Sequence, residues 1–248
     1  MVVVCQQPNY FPWLGYLELA ARADIFVVLD SVQWIRQGRQ HRARILPYQS
    51  GRSDFQWLTL PVLGHGHRTR PMRDLALDPA DNWSKRHWAT VAGIYGRRPF
   101  FKSQLEPLVR PWFEQAPRFK TMYEAALSSV ELCFSALDLS PTLMLSSELP
   151  EQGVKTERLI SICKSLEADT YYSALGSTKY VDVAAFRASG IRLQWQHWKH
   201  PNYDQGTERF KSHLSFLDVL ANASLDDIKA WMVAPEWGQF GESGMPKL

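Results

Sequence analysis

The feature that most constrains this chain is its opening. Val2-Val3-Val4-Cys5 runs into the amide- and proline-rich segment Gln6-Gln7-Pro8-Asn9, a helical stretch follows from Leu14 to Ala23, and Ile25-Phe26-Val27-Val28-Leu29 is stopped by Asp30. Both apolar runs are of strand length and lack polar alternation, so each reads as a strand buried on two faces. Strand, helix and strand joined by short turns begin a βαβ unit with a parallel sheet. Trp57 to Val62 reads as a third strand and Leu143 to Leu145 as a further one. The last third repeats the alternation: a helix over Glu157 to Leu166, a strand over Thr170 to Ser173, a helix over Val181 to Ala188 followed by Gly190, and a strand over Ile191 to Trp195. The predicted fold class is α/β, a Rossmann-like and mostly parallel sheet with helices on both faces.

The middle third departs from that rhythm. Apolar residues recur at helical spacing over 82–95, 100–115 and 120–137, with Asn82 placed to cap the first stretch and Pro107, Pro111 and Pro117 breaking the second. A helical insertion over about 82–137 follows. Leu214 to Asn222 reads as a final helix, and the Gly- and Pro-containing tail over about 235–248 as loosely held. With no internal repeat and no low-complexity linker, residues 1–248 are expected to form one composite domain.

Charge and cysteine usage narrow the setting. The 28 basic and 25 acidic side chains leave a net charge of +3, too little to draw the whole molecule to nucleic acid, so none is expected as a partner. Cys5, Cys133 and Cys163 are widely spaced with no CxxC pair, which points to free thiols in a reducing compartment. The N-terminus lacks a basic stretch and a cleavage site, and no run is long and apolar enough to span a membrane. A cytoplasmic protein is expected.

Candidate chemistry gathers where the first two strands end. Ligands of open α/β sheets bind beyond the carboxyl ends of the strands. Gln6, Gln7 and Asn9 offer amide donors and acceptors there, Tyr10 and Trp13 offer ring faces, and Pro8 and Pro12 fix the backbone between them. The plainer reading is a rigid turn whose amides cap the helix. Asp30, with Gln33 close behind, falls at the same rim, where a carboxylate acts as a base, binds an amine or pairs with Arg42 or Arg44. Gln40-His41-Arg42-Ala43-Arg44 alternates, so a strand would send Gln40, Arg42 and Arg44 to one face and His41 to the other. Such a guanidinium row suits a phosphate or carboxylate, and a solvated edge strand is the alternative. Arg36, Arg39 and Arg52 extend this basic cluster, and 64–73 reads as an exposed loop.

His65 with His67, and His197 with His200, lack a carboxylate or Cys at ligand spacing, so no metal is expected. Cys5 is a candidate thiol, although a Cys ending a buried strand commonly behaves as a small hydrophobe. Dinucleotide, P-loop, nucleophile-elbow and zinc-protease signatures are all missing, and no cofactor is expected. Gly176 to Lys179 reads as a polar, hydroxyl-capped turn, and Pro201-Asn202-Tyr203-Asp204-Gln205 echoes Pro8-Asn9-Tyr10 too briefly to be a repeat.

The order of these segments resembles the WbqC-like protein family. The resemblance rests on Gln7-Pro8-Asn9-Tyr10 with Pro12-Trp13 and Gly15-Tyr16, on Leu29-Asp30 and Val32-Gln33, on Gln40, Arg42 and Trp57-Leu58-Thr59, and later on Ala168 to Tyr171, Pro201, Tyr203, Gln205 and Leu217-Asp218. Members usually carry His where this chain has Cys5, and Asn where it has His41. The resemblance implies a biosynthetic enzyme, of O-antigen clusters among others, that transfers glycine or another acyl group to an amine-bearing intermediate such as an amino sugar. It further implies Asp30, Asp218 or Cys5 as catalytic groups, Arg42 and Arg44 holding phosphate or carboxylate, and Gln6, Gln7 and Asn9 orienting the carbonyl. Two alternatives stand beside it. One is a tailoring enzyme that closes a ring on a carrier-bound amine, meeting an acidic carrier protein. The other is a non-catalytic partner of a biosynthetic enzyme.

Overall fold

The computed structural model describes residues 1–35, 37–48, 54–63 and 70–233. The strands are β1 (Val2–Gln6), β2 (Ile25–Val28), β3 (Arg42–Ile45), β4 (Gln56–Thr59), β5 (Thr142–Leu145), β6 (Thr170–Ser173) and β7 (Arg192–Trp195). The helices are α1 (Leu14–Ala21), α2 (Trp83–Tyr95), α3 (Glu106–Gln115), α4 (Met122–Ala136), α5 (Thr156–Ser165), α6 (Val183–Ser189), α7 (Phe216–Asn222) and α8 (Leu225–Val233).

Five strands form a parallel sheet in the order β5-β2-β1-β6-β7. This is the Rossmann-like α/β arrangement that the two unalternated apolar runs predict. Central β1 pairs with β2 from Val3 opposite Ile25 to Gln6 opposite Val28, and with β6 through Val2 opposite Thr170. Its side chains divide by parity between two cores. Val4, with Phe26 and Val28 of β2, packs under α1, α4 and the helices beyond them, whereas Val3, Cys5 and Val27 face α5 and α6 through Leu159, Ile162, Cys163 and Phe186. Strand order reverses at β1, because the chain steps outward to β2 and β5 and then returns to lay β6 on the other side. The crevice at the carboxyl ends of β1 and β6 is therefore the topological switch point.

Two expectations change. Trp57 to Val62 does not join the main sheet: its first half is β4, paired antiparallel with β3, and the third sheet strand is β5. Alternation explains the difference, since Ala43, Ile45 and Leu58 are buried while Arg42, Arg44 and Trp57 are not, a pattern for a one-sided ribbon rather than a two-sided sheet. Helix α8 was not expected. Ser224 caps it by accepting from Asp227 N at 3.1 Å, so the sequence Ser-x-x-Asp carried the signal. The tail over 235–248, Arg36, Arg52 and the His65–His67 pair lie outside the described residues.

Helix α1 is pinned to the sheet by a buried carboxylate. Glu18 is 0% exposed and accepts from Tyr172 Oη of β6 at 3.1 Å, from Gln196 Nε2 just beyond β7 at 2.6 Å, and from Arg22 Nε at 3.2 Å. Burial raises its pKa against those bonds. Cutting the carboxylate away strands two buried donors, each costing on the order of 1–3 kcal/mol. Glu18→Leu is expected to lose about 2–4 kcal/mol in urea unfolding and Glu18→Gln clearly less; equal losses would show that the acceptor is not what matters.

Candidate functional site

The turn from β1 into α1 is held by an unusual backbone. Phe11 adopts φ 40°, a left-handed conformation rare for a bulky side chain, and is kept there because its N–H donates to Ser129 Oγ of α4 at 2.9 Å while its ring packs 4.9 Å from those of Tyr10 and Trp112. Tyr10 thereby goes inward. It is 1% exposed and its hydroxyl meets His87 Nδ1 at 2.9 Å, so the ring serves the core and not the rim. Trp13 goes the other way. Its indole lies over Gly15, where a Cβ would collide with the ring, and it faces His213 at 4.8 Å and a stacked His200 at 6.4 Å.

Around this turn the structure collects a basic cluster. Tyr10 N donates to Arg39 O at 3.3 Å, tying the first turn to the segment before β3. Gln40 Nε2 donates to Gln7 Oε1, and Gly38 leaves the space that the Gln40 amide occupies. Arg39 donates to His213 O at 3.1 Å and lies 6.0 Å over Trp13. Arg42 donates to Gly38 O at 2.8 Å and sits 4.3 Å over Trp57, while Arg44 sits 4.2 Å over Phe55 and 5.0 Å over Trp57. Among the described residues Arg44 Nε is buried without a hydrogen-bond partner, as are Gln40 Oε1 and Ser215 Oγ, whose residue joins Arg44 O through its own N–H at 2.7 Å.

None of the three arginines has a carboxylate within 4.0 Å among the described residues. Burial, with Arg44 and Arg42 close by, pushes Arg39 down to about 10, and Arg44 is lowered by burial and by Arg42. His213 is likewise lowered by burial and by Arg39 and Arg44. These are like charges held together, a strain that an anion relieves. His200 is pushed down to about 4 by burial; as a neutral ring it donates from Nδ1 to Pro201 O at 2.8 Å, and among the described residues its buried Nε2 has no partner.

The other candidates separate from this cluster. Asp30 is 2% exposed beyond β2, where its carboxylate accepts from Ser146 Oγ and Ser147 N at 3.0 Å and from Arg73 at 3.3 Å. Burial acts to raise its pKa, but the bonds from Ser147 and Ser146 outweigh it and the net shift is downward. Its ion-pair partner is thus Arg73, not Arg42 or Arg44. Cys5 is 4% exposed in the core facing α5, its thiol raised well above the usual range by burial and by nearby Cys163 and Glu151. That environment withholds the thiolate that nucleophilic chemistry needs. His41 is 6% exposed and accepts from Trp34 Nε1 at 3.2 Å, Gln33 bridges to Pro71, Gln6 ends β1, and Asn9 O accepts from Ser129 Oγ at 3.4 Å. Sequence reasoning placed Arg39 in the basic segment but left His200 and His213 out of the cluster; spacing carried no signal for them, since His213 lies 174 residues beyond Arg39.

Asp218 is a structural hub. Fully buried in α7, it accepts from Tyr203 Oη at 2.7 Å and Gln205 Nε2 at 2.8 Å and is also hydrogen-bonded by Tyr95. Gln205 in turn donates to Lys211 O at 2.9 Å and accepts from Lys211 N at 2.7 Å, closing the loop between them.

Among the described residues no group of three or more His, Cys, Asp or Glu is arranged to hold a metal, and no helix is long and apolar enough to cross a membrane. The architecture defines a Rossmann-like α/β protein with a cationic, aromatic-walled site beside its switch point. The chain matches the WbqC-like protein family over residues 7–230 and belongs to it. It is also similar to the uncharacterized protein Rv1507c of Mycobacterium tuberculosis, 29% identical over 225 residues that cover 90% of this chain and 94% of that one. No solved structure matches it significantly.

Burial holds the Asp218 carboxyl up at about 6, although its three hydrogen bonds pull the other way. A carboxyl whose folded pKa exceeds its unfolded value of about 3.9 binds its proton more tightly when folded. Its contribution to stability therefore falls as pH rises from about 4 to about 6 and is level above, by ~3 kcal/mol in all. Urea midpoints followed across that range are expected to show this slope in the native protein and to lose it in Asp218→Asn; parallel profiles would refute the assignment.

Proposed function

We propose that this WbqC-like protein is a biosynthetic enzyme that transfers glycine or another acyl group to the amine of a small-molecule or carrier-linked acceptor such as an amino sugar. The observation that supports the reading is the group of three arginines with no carboxylate within 4.0 Å among the described residues, packed beside the Gln7–Gln40 amide pair at the carboxyl end of β1. Guanidinium groups bind phosphate and carboxylate with paired hydrogen bonds, so Arg39, Arg42 and Arg44 hold the anionic part of the ligand. Gln7 and Gln40 orient the acyl carbonyl, and the Trp13 indole provides a flat wall.

His213 is the base in this reading. Its pKa is lowered by burial and by the neighbouring Arg39 and Arg44, which favours the neutral base, and its Nδ1 is hydrogen-bonded to Ser212 Oγ at 2.8 Å. The acceptor amine attacks the carbonyl carbon of a thioester or acyl phosphate, the new C–N bond forms, the thiol or phosphate leaves with the bonding electron pair, and the amine proton passes to His213. Asp30 and Asp218 act as positioning residues, since both carboxylates are buried and fully engaged. The acidic surface of a carrier protein complements the same cationic face, which is where a carrier-linked acceptor is expected to approach.

The test is amide formation from a glycyl thioester or glycyl phosphate and an amino-sugar acceptor, followed by mass spectrometry. Arg39→Ala and Arg44→Ala are expected to lower kcat/KM about 10–100-fold, the worth of one charge-assisted contact, with His213→Ala lowering kcat. A folded protein that forms no product over a broad panel of acyl donors and amine acceptors overturns the reading.

A further inference from the structure

A second cationic site lies on the far side of the Asp218 hub. A cavity of about 920 Å³ opens between the segment after β3, the end of α2 and the loop over 206–211. Its lining carries Arg97, Arg98, Arg209 and Lys211 against Glu208. Lys211 pairs with Asp54, whereas the three arginines have no carboxylate within 4.0 Å among the described residues.

Surface arginines are common and by themselves carry little. Here their placement is built. Gly206 has φ 58° and the Arg98 guanidinium lies where a Cβ on that glycine would be, so the residue type at 206 fixes the arginine as well as the turn. Gly206 N is held by Asp204 Oδ1 at 2.6 Å, and the loop bearing Arg209 is closed by the two Gln205–Lys211 hydrogen bonds, which are anchored on the fully buried Asp218 carboxylate. The buried Asp218 carboxylate thus anchors the loop that carries Arg209 and feels the charge of Arg98 without an ion pair within 4.0 Å among the described residues. Tyr48 also lines the cavity, its ring 70% exposed and resting on Gly93, where a Cβ would stand 3.2 Å from its edge. An exposed flat ring in a cavity that guanidinium groups also line matches a planar base joined to phosphates, and the volume lies within the roughly 300–1,000 Å³ of small-ligand sites.

We infer that this cavity binds a nucleoside diphosphate moiety, free or sugar-linked, with its phosphates on Arg97, Arg98 and Arg209 and its base on Tyr48. The site is separate from the Arg39–Arg42–Arg44 cluster and does not depend on acyl transfer. Isothermal titration of the full chain with ADP, UDP-N-acetylglucosamine and inorganic pyrophosphate tests it. At least one of the two nucleotides is expected to bind about tenfold more tightly than pyrophosphate, with affinity falling as salt is raised. Arg98→Ala and Arg209→Ala should each weaken that binding about tenfold, the worth of one charge-assisted contact. Gly206→Ala, which displaces the Arg98 guanidinium while keeping its charge, should weaken it too, and Tyr48→Ala should bring nucleotide affinity down to that of pyrophosphate. Arg44→Ala should leave it unchanged, so a protein that binds nucleotide but forms no amide would sink the acyl-transfer reading and keep this one. Nucleotides that bind no better than pyrophosphate, or binding untouched in folded Arg98→Ala and Arg209→Ala, overturn the inference.

Discussion

The position of β1 is the constraint on which everything else rests. A five-residue strand flanked in parallel by β2 and β6 has both faces covered, so its side chains must all be apolar until the sheet ends at Gln6. The first polar residues the chain offers then fall at the rim, and because strand order reverses at β1 that rim is a crevice rather than a flat edge. The neighbouring strands obey the same rule: β2 delivers Asp30, β5 delivers Ser146 and Ser147, and β7 delivers Gln196.

Rigidity of the crevice comes from local strain that the tertiary structure outweighs. Phe11 costs backbone energy, on the order of 1–3 kcal/mol, that Ser129 and the aromatic packing repay. In return, Tyr10 is buried and Trp13 is turned out over Gly15. Without the missing Cβ at Gly15 the indole would have to lift away, and with it the wall shared by Arg39, His200 and His213.

Charge is arranged in two ways in this molecule. Buried carboxylates are paired and hold elements together: Glu18 joins α1 to β6 and β7, Asp30 joins β2 to the turn after β5 and to Arg73, and Asp218 joins α7 to α2 and to the loop over 205–211. At the two candidate sites the arginines have no carboxylate within 4.0 Å among the described residues, whereas Lys211 pairs with Asp54. Burial lowers Arg39 and Arg44 first, and neighbouring guanidinium groups add to it, Arg44 and Arg42 acting on Arg39 and Arg42 on Arg44, because like charges in a partly dry environment raise the cost of ionisation.

The chain alone determined the α/β class, the burial of β1 and β2 and the strand-end location of Gln7, Asp30 and the basic segment, because unalternated apolar runs, capping residues and prolines act over a few neighbouring positions. The tertiary structure decided what long range alone can decide. Asp30 and Asp218 look alike in sequence, yet one is kept ionised by hydroxyl and amide donors and the other is lifted by burial. Tyr10 and Trp13 are equally aromatic, yet a single left-handed residue between them sends one to the core and one to the site. His213 lies 174 residues beyond Arg39, with His200 shortly before it in the chain, and the three meet only because α7 returns its leading segment to Trp13 and Arg44. Periodicity registers which face a residue takes on its own element, and it carries no information about which distant residue arrives opposite.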